Sequence, residues 1–195
     1  GVLTEFGNNH GWRYIFWDQM NGFISPLPLS VLSMGIPENL PFVQLPLQAR
    51  SVYYSFSKKA GSRNHCLVIG GYFGQGRLLQ TLHLLHSSYP DVTVYVICGD
   101  NQGLEKRIRK RYCSVRNINV YGLVDSIEPF ITRCDCVITK PGMGTLLEAH
   151  AAGRKIFLFK GMPVAETNNA RFAINNFGAE WFSIERFTKW FTNCK

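Results

Sequence analysis

The sequence predicts an α/β domain built on a Rossmann-like parallel sheet with helices on both faces. Three observations lead there. Apolar runs rich in β-branched residues, such as Cys66-Leu-Val-Ile69, Val92-Thr-Val-Tyr-Val-Ile-Cys98 and Cys136-Val-Ile-Thr139, recur along the chain. Such near-continuous runs suit strands buried on both sides. Stretches of helix length separate them, and strand alternating with helix at this spacing is the pattern of βαβ units. Two of the strands are followed by glycine-rich turns, Gly70-Gly-Tyr-Phe-Gly-Gln-Gly76 and Pro141-Gly-Met-Gly144, that open into helices.

The elements follow in order. Residues 1–50 do not read as a complete domain. Their aromatic residues from Phe6 to Phe23 are interrupted by Gly7, Gly11 and Gly22, which favours short strands and loops. Residues 30–34 suit a brief helix ended by Gly35-Ile-Pro37. Pro37, Pro41 and Pro46 remove backbone donors and fix φ, as in an extended connector. The main domain, residues 51–182, then predicts strands over 65–70, 92–98, 118–121, 136–139, 155–159 and 180–182. Helices are predicted over 77–88, 104–112, 126–133, from the 140s to Gly153, and 166–176. Residues 183–195 close the chain with a helix over 185–191, in which Phe187, Trp190 and Phe191 share a face suited to packing.

Composition narrows the class of function. The chain has 195 residues, 46% hydrophobic and 17% charged, which describes a folded domain with an appendage. Its 21 Lys and Arg against 13 Asp and Glu give +8, favouring anionic partners such as nucleotide phosphates or anionic lipid headgroups. The run Lys106-Arg-Ile-Arg-Lys-Arg-Tyr112 reads as the solvated face of a helix. It lacks the interleaved aromatics of a nucleic-acid surface, and no nucleic-acid partner is expected. Six cysteines without a C-x-x-C pair give neither a zinc nor a disulfide framework, so a reducing cytoplasmic setting is expected. No run reaches membrane-span length. The chain opens on Gly1-Val-Leu without Met, as a piece of a longer protein would.

The chemistry concentrates at residues 137–153, a strand, a two-glycine turn and a helix start. Backbone amides at such a start form a positive end that bulkless glycines leave open to a phosphate. Lys140 stands beside it as a movable charge and Glu148 lies one turn into the helix. A second reading of the same residues is a capping box, with Thr145 bonding the third helical amide and Glu148 reaching back. The loops after Ile69, Cys98, Tyr121, Thr139 and Phe159 all leave the sheet at one edge, so a composite site is expected there. The Gly70–Gly76 loop matches neither the dinucleotide nor the P-loop pattern.

The stretch Thr139-Lys-Pro-Gly-Met-Gly-Thr-Leu-Leu-Glu-Ala149, followed by Ala152-Gly153, Met162-Pro-Val-Ala-Glu-Thr-Asn-Asn-Ala170 and Asn176-Phe-Gly-Ala179, resembles the nucleotide-sugar half of GT-B glycosyltransferases. The nearest group is glycosyltransferase family 28, which holds monogalactosyldiacylglycerol synthases, processive diacylglycerol glucosyltransferases and the peptidoglycan N-acetylglucosaminyltransferase. The likeness covers residues 65–182. Thr4-Glu-Phe-Gly7 with His10 and Trp12, Ser25, Met34-Gly-Ile-Pro37 and Leu45-Pro46 are similar to the end of that family's N-terminal domain and its linker.

The resemblance implies a UDP-sugar as donor substrate and no separate cofactor or metal. Gly142, Gly144, Thr145 and the nearby Lys140 would hold the diphosphate, with Gly71, Gly74 and Gly76 closing over it. Glu148 would bridge the ribose hydroxyls, the backbone at Leu123 would meet uracil, and Glu166 and Asn169 would approach the sugar. It implies hexose transfer to a lipid acceptor at the cytosolic membrane face, with peripheral contact to an anionic surface. The acceptor-binding N-terminal domain, or a partner subunit, would lie outside this chain. Where that family often has Pro-Gly-Gln-Glu, this chain has Pro163-Val-Ala-Glu166, and the lost amide leaves donor-sugar identity open. No general base is assigned; His10 is the one histidine of the first fifty residues. Two other readings stay open: a nucleotide-sugar-binding chain without activity of its own, and a hydrolase or epimerase of a UDP-sugar.

Overall fold

The computed structural model describes residues 20–25, 39–45, 48–55, 64–160 and 164–192. Its centre is strand β3, His65–Ile69, four of whose five residues are buried because both faces carry apolar side chains. Cys66 and Val68 enter one core, while Leu67 and Ile69 enter the other. Period-two side-chain direction makes this split unavoidable for a strand with helices on either side.

Around β3 lie β4 (Thr93–Ile97), β5 (Ile118–Tyr121), β6 (Cys136–Thr139), β7 (Lys155–Leu158) and β8 (Glu180–Trp181). They form one sheet in the order β5-β4-β3-β6-β7-β8, and every pairing is parallel. The first core is covered by α1 (Leu78–Ser88), α2 (Gln102–Arg111) and α6 (Ile184–Thr192), through Leu82, Leu85, Ile108 and Phe187. The second is covered by α3 (Glu128–Arg133), α4 (Met143–Ala151) and α5 (Val164–Phe177), through Ile131, Leu146, Ala149 and Ala173. A 3-10 turn at Ser51–Ser55 adds the fully buried Tyr53 to that second core.

Local chemistry sets the helix ends. Asn101 caps α2 by accepting from the Leu104 amide at 2.9 Å. Leu104 and Ile108 turn inward, Lys106, Arg107, Lys110 and Arg111 stay exposed, and Arg109 pairs with Glu105 at 2.8 Å. The basic run is thus the solvated face of an ordinary amphipathic helix. Helix α3 begins two residues later than expected because Ser126 lies outside it, its hydroxyl accepting from the Glu128 amide at 3.2 Å.

At the centre of the sheet Cys66 and Cys136 are register partners whose sulfurs lie 3.3 Å apart. Burial pushes the Cys136 and Cys134 thiols well above their ordinary acid range, and it raises Cys98 to about 11. All are free thiols serving as small apolar side chains.

The expected extended connector is partly a strand. β2, Phe42–Gln44, pairs in parallel with β1, Phe23–Ser25, in a separate two-stranded sheet. The expected helix over 30–34 lies outside the described residues.

Helix α6 is tied down by rings. Phe187 is 1% exposed and meets Tyr89, Phe157, Phe182, Trp190 and Phe191 at centroid distances of 5.2 to 6.4 Å. Tyr89 and Thr188 add a hydroxyl contact at 2.5 Å. Phe187→Ala is therefore expected to lower folding stability by about 3–5 kcal/mol. Urea unfolding followed by Trp fluorescence measures this; an unchanged midpoint would mean the ring does not anchor α6.

Candidate functional site

From β3 the chain builds outward one way through β4 and β5, then returns beside β3 as β6 and builds the other way. The loops after β3 and β6 consequently leave the sheet side by side in opposite directions. A crevice opens between them at the carboxyl edge, where doubly wound sheets bind ligands.

The loop after β3 is a rigid tight turn. Gln75 N donates to Gly70 O at 2.8 Å, Gly74 N to Gly71 O at 3.1 Å, and Asp100 N to Tyr72 O at 2.7 Å, which pins it to the loop after β4. Gly71 and Gly74 hold left-handed φ of 69° and 59°. A Cβ at Gly71 would lie 2.7 Å from Lys140 Cε, and one at Gly74 would lie 2.3 Å from the Cys98 carbonyl. Gly76 faces the ring of Phe159 with equally little room. Tyr72 and Phe73, between these anchors, are 56% and 67% exposed.

The loop after β6 carries the other wall. Gly142 is extended and serves as the N-cap of α4, its carbonyl accepting from Leu146 N at 3.1 Å, and no side chain caps the helix. The α1 start, at Arg77, also lacks a side-chain cap. Thr145 is therefore the third residue inside α4 and the expected capping box does not form. Gly144 is exposed, and a Cβ there would meet nothing within 4 Å. Asn169, fully buried, donates from Nδ2 to the Pro141 carbonyl at 3.1 Å and so holds this loop from α5. Lys140 is not a free charge, since Nζ pairs with Glu166 Oε1. Glu166 Oε2 is buried without a hydrogen-bond partner in the described structure.

Between the walls lies a cavity of about 210 Å³ lined by Ile69, Gly71, Tyr72, Ile97, Leu123, Val124, Ile127 and Thr145, among others. Leu123, just past β5, is 57% exposed at its rim. A second cavity of about 310 Å³ lies on the far side of the glycine loop, with Arg77, Lys160 and Glu185 in its lining. Glu148 pairs with Arg50, Oε1 lying 3.4 Å from Nη2, and 17% of the side chain is exposed. Burial raises its pKa above the ordinary carboxylate value, with Arg50 and Tyr53 pulling the other way. Among the described residues no three His, Cys, Asp or Glu converge as a metal site.

Comparison with known proteins fits this geometry. No family model matches the sequence. It is 28% identical over 180 residues to a processive diacylglycerol β-glucosyltransferase of Bacillus thuringiensis strain Al Hakam, over 88% of this chain and 46% of that one. The chain spans about half the length of the curated relatives it matches. MurG of Acinetobacter baumannii superposes with a TM-score of 0.56 at 17% identity, over 88% of this chain and 50% of MurG. This is the fold of a GT-B glycosyltransferase's C-terminal half. The pneumococcal O-GlcNAc transferase GtfA, solved with UDP and GlcNAc, superposes at 0.50 and 12% identity, over 90% of this chain and 42% of GtfA.

Within this GT-B half, Gly71, Leu123 and Thr145 line the crevice, Lys140 lies against Gly71 and Gly142 and pairs with Glu166, and Gly74 and Gly144 belong to the two loops that form its walls. Asn169 supports the loop from below, and Gly76 sits toward the second cavity side, against Phe159. His10 lies outside the described residues, as do 161–163. Arg50 and Tyr53 escaped the sequence reading because their partner is about a hundred residues away. Arg77 and Lys160 escaped it too, although Arg77 directly follows the glycine loop.

Glu148 thus carries a pKa above that of an ordinary carboxylate. The folded state binds the proton more tightly than the unfolded chain, so this group costs stability above its folded value and the cost fades as pH falls toward the ordinary carboxylate range. Glu148→Gln is expected to unfold at a higher temperature than the parent at pH 7, with the gap closing on acidification. Thermal melts at a series of pH values check this, and a gap that widens on acidification would contradict it.

Proposed function

We propose that this chain is the donor-binding portion of a UDP-sugar-dependent glycosyltransferase that transfers a hexose to a lipid acceptor at the cytosolic membrane face. The observation that carries the reading is the start of α4. An uncapped helix end stands beside a glycine with open space over it, and a carboxylate lies one turn onward. Uncapped amides favour a diphosphate, and a carboxylate accepts from vicinal hydroxyls. The apolar cavity reaching Leu123 suits a flat base. The relatives named diacylglycerol glucosyltransferases support a lipid acceptor, and the GtfA complex with UDP and GlcNAc supports the donor class.

The chemistry follows from charge. As the glycosidic bond to the donor breaks, the leaving diphosphate gains negative charge. Amides of Met143, Gly144 and Thr145, fixed by the helix, would meet that charge without reorganising, an effect worth several kcal/mol of barrier in comparable sites. Glu166, paired with Lys140 and with one oxygen unpartnered, is the group this chain offers to the sugar hydroxyls. The acceptor half and the base that deprotonates the acceptor are assigned to the rest of a longer protein, a reading supported by the share of the relatives that this chain covers.

Calorimetric titration with UDP tests the proposal. The chain is expected to bind UDP, and Glu148→Ala to weaken it about 10- to 100-fold, the loss of two hydroxyl contacts to a charged acceptor. Absence of UDP binding, or parental affinity in Glu148→Ala, would sink it. Sugar transfer by the chain alone would instead show that no separate acceptor-binding half is needed.

A further inference from the structure

The short segment before the sheet carries a side-chain arrangement that the donor-site reading leaves unused. Arg50 donates from Nη2 to the Tyr53 hydroxyl at 2.8 Å, and the same nitrogen stands 3.4 Å from Glu148 Oε1. The guanidinium lies over the Tyr53 ring at 5.2 Å. Tyr53 is fully buried in the second core, so it is a fixed post against which the long Arg50 side chain is steadied. The spacing of three residues in a tight 3-10 turn brings the two side chains onto one side.

Glu148 has reason to need them. A carboxylate that reads two vicinal hydroxyls must be ionised, because its protonated form gives up acceptor sites. Burial opposes ionisation there, and Glu128 at the start of α3 opposes it further, whereas Arg50 and Tyr53 favour it. These are the charged and titratable groups that face Glu148 from the elements packed against it. As an ion pair the contact adds little to stability, since Arg50 is 57% exposed and water screens it. Its effect is on where Glu148 points and when it is charged.

Resting on the donor-site reading, we propose that Arg50 and Tyr53 are positioning residues that hold Glu148 ionised and aimed at the ribose hydroxyls of the nucleotide. A carboxylate has enough lone pairs to keep Arg50 on one oxygen while both hydroxyls donate to it. The segment carrying Arg50 precedes the sheet, so nucleotide affinity becomes sensitive to how that segment lies on α4.

Calorimetric titration of UDP into the parent chain, Arg50→Ala, Arg50→Lys, Tyr53→Phe and the double variant Arg50→Ala/Glu148→Gln, from about pH 5.5 to 8, tests this. Removing Arg50 takes away an influence that lowers the Glu148 pKa, so the acidic fall in affinity moves to higher pH. Arg50→Ala is expected to bind a few-fold more weakly at about pH 8, where only the aim of the carboxylate is lost, and by a growing factor as the pH falls toward about 5.5. Arg50→Lys keeps most of the parental profile, and Tyr53→Phe shows a smaller shift of the same sign. The double variant shows no pH dependence beyond that of Glu148→Gln alone. Unfolding temperatures of the Arg50 variants stay near the parent's. If the parent binds UDP and Arg50→Ala matches it in affinity and pH profile, this inference fails while the donor reading stands. Tighter binding by Arg50→Ala would make Arg50 a competitor of the ribose and overturn it as well. A parent that does not bind UDP removes both.

Discussion

The structure depends on one constraint: a parallel strand covered on both faces presents mainly apolar side chains along its buried length, as β3 does from Cys66 to Ile69. Every polar group with work to do is therefore forced to the ends of strands. Because the chain reverses its direction of growth between β3 and β6, the two loops leaving those strands separate and form walls of a common crevice. Packing then fixes the walls to the body. Asp100 holds the first through Tyr72 O, Asn169 holds the second through Pro141 O, and the Lys140 stem lies against Gly71 to join them. A site built this way moves little when a ligand arrives, which suits preorganised recognition.

The electrostatics of the crevice differ from those of the whole chain. The net charge of +8 is spent largely elsewhere, much of it on the outer face of α2. Around α4, Lys140 and Arg50 are each engaged by a carboxylate, Glu166 and Glu148. A diphosphate would thus be received mainly by the backbone amides at the uncapped start of α4.

Much of the sheet domain was legible in the sequence because its signals are local. The six strands and six helices of that domain follow from β-branched runs, helical spacing and glycine stops, and they differ from expectation by one or two residues at their ends. The α4 loop was legible for the same reason, since two glycines, a lysine and a glutamate lie within nine residues. What local pattern could not decide was which partner each side chain finds. The capping box at Thr145 and Glu148 is a valid local reading, yet Gly142 already caps the helix and a distant arginine takes the glutamate. Lys140 looked movable because its partner Glu166 belongs to the next helix, and the burial of Asn169, which the resemblance puts near the sugar, is a property of the assembled fold. The extended segment at Phe42–Gln44 carried no sign of its partner strand at Phe23–Ser25.

Gly144 carries the last consequence. Its backbone is helical, and a side chain there would touch no neighbour, so replacing it by alanine would on propensity grounds steady the helix by about 1 kcal/mol. The fold thus forgoes an available gain to keep that space empty. The same space gives an engineer a place for a steric plug: a bulky residue at this one position meets no neighbour, so it obstructs the approach to the α4 start while leaving the architecture intact.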